Sequence, residues 1–67
     1  LPEALAQVVA ADVDRAMQSN WGRRILADLY LRQTGMRGWI QGIVEARPPE
    51  EQNGFLQAIK GLAASNG

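Results

Sequence analysis

The apolar positions of this 67-residue chain recur at helical spacing in four successive stretches. At ~100° per residue, Leu5, Val9, Val13, Ala16 and Met17 fall along one side of a helix expected over 2–18. Pro2 suits its first turn, and Glu3 lies near the positive end of its dipole. Asp12 sits beside Leu5 and Val8 at the margin of that stripe, placed to pair with an arginine of a neighbouring helix. Ser19 and Asn20 interrupt the pattern and suit the N-cap of a second helix over 21–34, which Gly35 is expected to end in a left-handed C′ conformation. Trp21, Ile25, Leu26 and Leu29 make the main apolar face of that helix, while Leu31 projects on the other side beside Ala27.

A third helix over 36–46 gathers Met36, Trp39, Ile40, Ile43 and Val44 within one arc. Gly38 and Gly42 lie one turn apart at its edge, and each costs about 1 kcal/mol relative to alanine inside a helix. Close approach of another helix backbone, within the fold or from another chain, or of a bound group is the expected compensation. Pro48 and Pro49 stop this helix and open a fourth over 49–64, with Pro49, Glu50 and Glu51 in its first turn as the dipole favours. Phe55, Leu56, Ile59, Leu62 and Ala63 form its stripe, Gly54, Gln57, Ala58 and Gly61 its opposite side, and Ser65, Asn66 and Gly67 a frayed end. No alternating β-branched run argues for a strand. Short connections favour antiparallel neighbours, so the expected fold is all-α, a small compact bundle or orthogonal array of four helices with a hairpin across Arg47 and Pro48. A continuous first and second helix through Ser19 and Asn20 is the alternative to two separate ones.

Size sharpens this picture. One domain over 1–67 buries only about 60% of the surface its unfolded chain exposes, so its core is small. With no cysteine and no histidine, neither a disulfide nor an ordinary zinc site is available to reinforce it. Self-association or a helix-packing partner is the expected supplement. No apolar run approaches the ~20 residues that span a bilayer, and no charged-then-apolar leader is present, so a soluble, cytoplasmic chain without a membrane partner is expected. The start at Leu1 rather than Met suggests a processed chain or a domain cut from a longer protein.

Net charge is zero, yet it is unevenly spread. Residues 1–14 carry Glu3, Asp12 and Asp14 without a base and sum to −3. Residues 15–47 hold all six arginines against Asp28 and Glu45, sum to +4, and include both tryptophans. Residues 48–67 carry Glu50 and Glu51 against Lys60 and sum to −1. Such asymmetry bears on partners rather than on fold. Helix projection divides the basic middle: Arg24, Asp28 and Arg32 form an i, i+4, i+8 row of alternating sign, Arg15 and Arg47 lie at element ends, and only Arg23 and Arg37 lack a local partner.

Catalysis is not expected, because the usual proton shuttle and the best nucleophile are absent and Ser19, Thr34 and Ser65 have no base beside them. Asp12 and Asp14 point to roughly opposite faces of a helix. They resemble the opening of a calcium loop only superficially, lacking its glycine and terminal glutamate, and Gly35, Gly38 and Gly42 follow no strand as a phosphate loop would require. Neither metal nor cofactor is implied. Arg23 and Arg24 are more pointed. In the first turn of the second helix they oppose the dipole, which makes sense if an anion joins them at Gly22 and the free N–H groups, or if Asp12, Asp14 or Glu45 pairs with them inside the fold. Trp21, Trp39 and Tyr30 suit either base stacking or the core, with core packing expected for the tryptophans. The expected function is therefore a protein–protein interaction module for dimerisation, docking or regulation. It would bury an apolar strip of Tyr30, Leu31, Met36 and Trp39 and steer an acidic partner, or a second copy, with Arg23, Arg24, Arg32 and Arg37. Nucleic-acid binding through the 15–47 segment is the alternative.

Overall fold

The computed structural model describes the backbone of residues 3–66 and their side chains except those at 3, 5, 6, 8 and 66. The first-turn role of Pro2, the side chains of the stripe position Leu5 and of Val8 at its margin, and the fraying of Gly67 lie outside the described residues. The chain forms α1 (Glu3–Ala16), α2 (Asn20–Arg32), α3 (Arg37–Glu45) and α4 (Pro49–Asn66), with one 3-10 turn, Thr34–Met36, and no strand among the described residues. The all-α, four-helix expectation holds. α1 and α2 are separate: Ser19 is extended at φ −131° and ψ 152°, and its hydroxyl accepts the Gly22 N–H at 3.0 Å. A side-chain oxygen there satisfies a donor that the first turn of α2 leaves without an intrahelical partner.

One cluster fills the interior, with Val13 and Met17 supplied by the α1 stripe, Leu26 and Ala27 by α2, Ile40 and Val44 by α3, and Phe55 by α4. Met36, Trp39 and Ile43 pack around it from the third stripe, Ala58, Ile59 and Leu62 from α4. α2 is the hub, touching α1 and α3 and lying most extensively along α4.

The rotation of α2 departs from expectation. Trp21 and Ile25, expected on its core face, are 73% and 46% exposed, while Gly22, Leu26 and Ala27 are buried. Packing selected the side of the helix where small residues admit a neighbour, not the side with the largest apolar groups. A Cβ on Gly22 would lie 2.2 Å from the carbonyl oxygen of Ala16, so the end of α1 rests directly on the α2 backbone. The same logic corrects α4. Gly54 and Ala58, expected on its outer side, turn inward, and a Cβ on Gly54 would meet the Arg23 side chain at 2.5 Å. Leu56, by contrast, is 51% exposed, and Ala63 also faces solvent.

Gly38 and Gly42 do not mediate a close approach within the fold: nothing in the chain lies within 4 Å of a Cβ built at either. Each therefore carries the helix penalty of glycine without a packing return. Gly38→Ala and Gly42→Ala are expected to raise stability by about 0.5–1 kcal/mol apiece in urea denaturation followed by circular dichroism. A loss at either position would show that the space is occupied.

The helix ends also differ. α2 stops at Arg32, the Gln33 N–H donates to the Leu29 carbonyl at 2.7 Å, and no glycine among the described residues has positive φ, so Gly35 is not a left-handed cap. Met36 closes the 3-10 turn instead of opening α3. α4 runs on to Asn66, with the Ser65 hydroxyl donating to the Gly61 carbonyl at 2.9 Å where a frayed end was expected.

The α3–α4 corner is held by side chains. Gln52 Nε2 donates to the carbonyls of Glu45 at 3.2 Å and Arg47 at 2.7 Å. Arg47 donates to both carboxylate oxygens of Glu51, at 2.8 and 3.2 Å, and reaches Asp14 of α1 at 3.5 Å. The hydrogen bond from Arg47 holds the Glu51 carboxyl below its ordinary 4.5, against desolvation, and the charges of Arg47 and Arg23 add to the lowering. The folded carboxyl then binds its proton less tightly than the unfolded one. Stability from this pair is complete above 4.5 and is lost as pH falls through the lower folded value. Denaturation at a series of pH values is expected to show a shallower acid loss in Glu51→Gln than in the parent chain. Equal slopes would remove the pair from the acid response.

Candidate functional site

The two arginines without a local partner in the sequence, Arg23 and Arg37, are both engaged by the fold. Arg23, in the first turn of α2, donates to the Met17 carbonyl at 2.6 Å and to the side-chain oxygen of Asn20. Arg37, the first residue of α3, donates to the carbonyls of Tyr30 at 2.6 Å and Leu31 at 3.0 Å. Each guanidinium opposes the dipole of its own helix and meets the carbonyl end of the preceding one, where a cation is favoured. The anion implied by arginines at a helix start is thus largely a helix C-terminus of this chain. Two of the backbone donors at that helix start are also taken, since Gly22 N–H bonds Ser19 Oγ and Arg23 N–H bonds the Ser19 carbonyl.

The acidic partners expected for Arg23 and Arg24 are elsewhere. Asp12 meets Arg15 within α1 at 3.4 Å, with both groups exposed, rather than an arginine of a neighbouring helix, and Asp14 turns to Arg47. Asp28 meets Arg32 at 2.8 Å, and Arg24 is exposed and makes no ion pair among the described residues.

The expected apolar strip is mostly absorbed. Tyr30 is half-buried, with its ring edge-on to Phe55 at 5.6 Å and 88° and the Arg37 guanidinium 5.5 Å from its centroid. Its hydroxyl lies 3.4 Å from Gln41 Oε1. Met36 and Trp39 are half-buried against the core, as core packing of Trp39 requires. Leu31 is half-buried and stands apart from that cluster.

What the structure assembles instead is the outward face of α2. Trp21 and Ile25 stand one turn apart there, interleaved with Arg24, Asp28 and Arg32 and edged by Leu31. Sequence periodicity missed this face because it grouped Trp21 and Ile25 with Leu26. The small side chains at Gly22 and Ala27, which mark where neighbours come close, were the signal for the true orientation. In dilute solution, where no association contributes, Trp21→Glu is expected to change the free energy of unfolding by no more than about 0.5 kcal/mol, as at other exposed positions. A larger loss in thermal denaturation would place the indole in the core.

Two depressions flank α2. One, of about 490 Å³, runs between Asn20, Arg23 and Arg24 and the small-residue track Gly54, Ala58 and Gly61. The other, of about 190 Å³, is lined by Tyr30, Val44, Phe55, Leu56 and Ile59. Among the described residues no three acidic side chains gather as metal ligands, no buried residue carries a charged or polar side chain, and no helix is long and apolar enough to cross a membrane. Comparison with protein-family models, curated proteins and solved structures finds no match.

Proposed function

We propose that this chain is a small helical protein–protein interaction module that docks through the outward face of α2. One observation carries the proposal: Trp21, the largest side chain type available, is 73% exposed with Ile25 at 46% beside it, in a chain whose other tryptophan packs against the core. Tryptophan and arginine are the side chains that most often anchor protein interfaces, and here they share one face. Arg24 and Arg32 border the apolar pair and would orient an acidic or mixed-charge partner. This shifts the contact from the Tyr30, Met36 and Trp39 strip, which supports the fold, to its neighbour across α2.

A nucleic-acid partner is the weaker alternative because Arg23, Arg37 and Arg47 are held by backbone carbonyls or carboxylates. That leaves few guanidinium groups for a phosphate backbone. Affinity capture with the immobilised chain tests the proposal: a defined protein, either this chain or another, is retained by the parent and lost from Trp21→Glu at unchanged helical content. Equal retention by the variant would sink it. Salt-sensitive binding of generic duplex or single-stranded nucleic acid, with no protein retained, would favour the alternative.

A further inference from the structure

We propose that the occupant of the outward face of α2 is a second copy of this chain, packed antiparallel across a twofold axis at the level of Leu26. The inference rests on the docking role of that face and adds the identity of the partner. The charges along the face make it self-complementary. Arg24, Asp28 and Arg32 run plus, minus, plus at one-turn intervals, and reading the row backwards about residue 26 sets Arg24 of each copy against Asp28 of the other. Arg24 has no ion pair among the described residues, and Asp28 bonds Arg32 through Oδ1 alone, with its side chain still 43% exposed. The same register lays each Trp21 over Leu31 and beside Arg32 of the second copy, joining apolar contact to a cation–π contact. An axis at residue 28 would oppose Asp28 to itself and Arg24 to Arg32. An axis at residue 30 would set Asp28 against Arg32 of the second copy, an arginine of the kind it already bonds within its own chain, and would leave Arg24 unanswered and Trp21 beyond the end of α2.

The chemistry also fits the needs of a small core. A domain of this size gains stability from association, and a twofold contact uses one patch twice, burying both tryptophans together. One helix face from each copy makes a contact below the size of a standard interface, so the dimer is a reversible one.

Sedimentation equilibrium of the whole chain over a range of concentrations tests this. A monomer–dimer equilibrium is expected, weakened about tenfold or more by Arg24→Asp and likewise by Asp28→Arg, and restored to near the parent value when the two changes are combined. Circular dichroism on every variant confirms that the monomer is folded. A strictly monomeric parent chain, a dimer indifferent to both reversals, or a combined variant no better than the single ones would overturn the twofold arrangement. A monomeric chain that still retains another protein through Trp21 would overturn the dimer and leave the docking function intact. Loss of both would overturn the two together.

Discussion

Gly22→Ala is expected to lower the free energy of unfolding by about 2–3 kcal/mol, against the usual direction of a glycine-to-alanine change inside a helix. The new methyl carbon would lie 2.2 Å from the Ala16 oxygen and 2.7 Å from both its carbonyl carbon and its Cα. All three are backbone atoms, so no side-chain rotation relieves the overlap. α1 must retreat by more than an atom's overlap from α2, and the retreat exposes Met17, which has no solvent exposure in the fold. Helix propensity returns about 1 kcal/mol, less than the packing loss. Since a chain of this size has about 3–10 kcal/mol in all, the melting temperature is expected to fall by about 10–20 °C. Thermal denaturation followed at the helical circular-dichroism signal measures it. An unchanged or raised melting temperature would mean that α1 does not rest on Gly22.

The second large effect belongs to Arg37. Its guanidinium is the partner of the Tyr30 and Leu31 carbonyls at the end of α2 and also lies against the Tyr30 ring. Arg37→Ala removes two charge-assisted hydrogen bonds and a cation–π contact at a half-buried site, an expected cost of about 2 kcal/mol after water reoccupies part of the space. Arg37→Lys is expected to recover less than half of that, because an ammonium cannot hold both carbonyls and the ring in the planar geometry of a guanidinium. Urea denaturation of both variants supplies the comparison. Full recovery by lysine would reduce the role of Arg37 to charge alone.

Much of the fold was legible because it rests on local rules. Ser19 caps α2, Pro49 with Glu50 and Glu51 opens α4, and the Met36, Trp39, Ile40, Ile43 and Val44 arc meets the core as a unit. Each follows from side-chain chemistry within a turn or two. The orientation of α2 was not legible in that way, since two neighbours contest its surface and the outcome depends on how closely each can come. A helix projection locates large apolar groups, but it has no account of the room that Gly22 and Gly54 leave for a neighbouring backbone or an arginine. The same limit governed the arginines. Arg32 found Asp28 at the expected spacing, whereas Arg23 and Arg37 found backbone carbonyls, which one-letter charge counting does not register. The exposed face with Trp21 and Ile25 is what remained outside once α1 and α4 had taken their sides of α2.

All three corners of the chain share one device. A side chain from the opening turn of each later helix reaches back to the carbonyl end of the helix before it: Arg23 to Met17, Arg37 to Tyr30 and Leu31, Gln52 to Glu45 and Arg47. These bonds join residues only five to seven positions apart, so their loops close at small entropic cost and need no distant part of the chain. Each corner is complete as soon as one further turn of helix has formed. During synthesis from the N-terminus, the bends would therefore lock in chain order, and the search left to the finished chain is chiefly the closing of α4 onto α2.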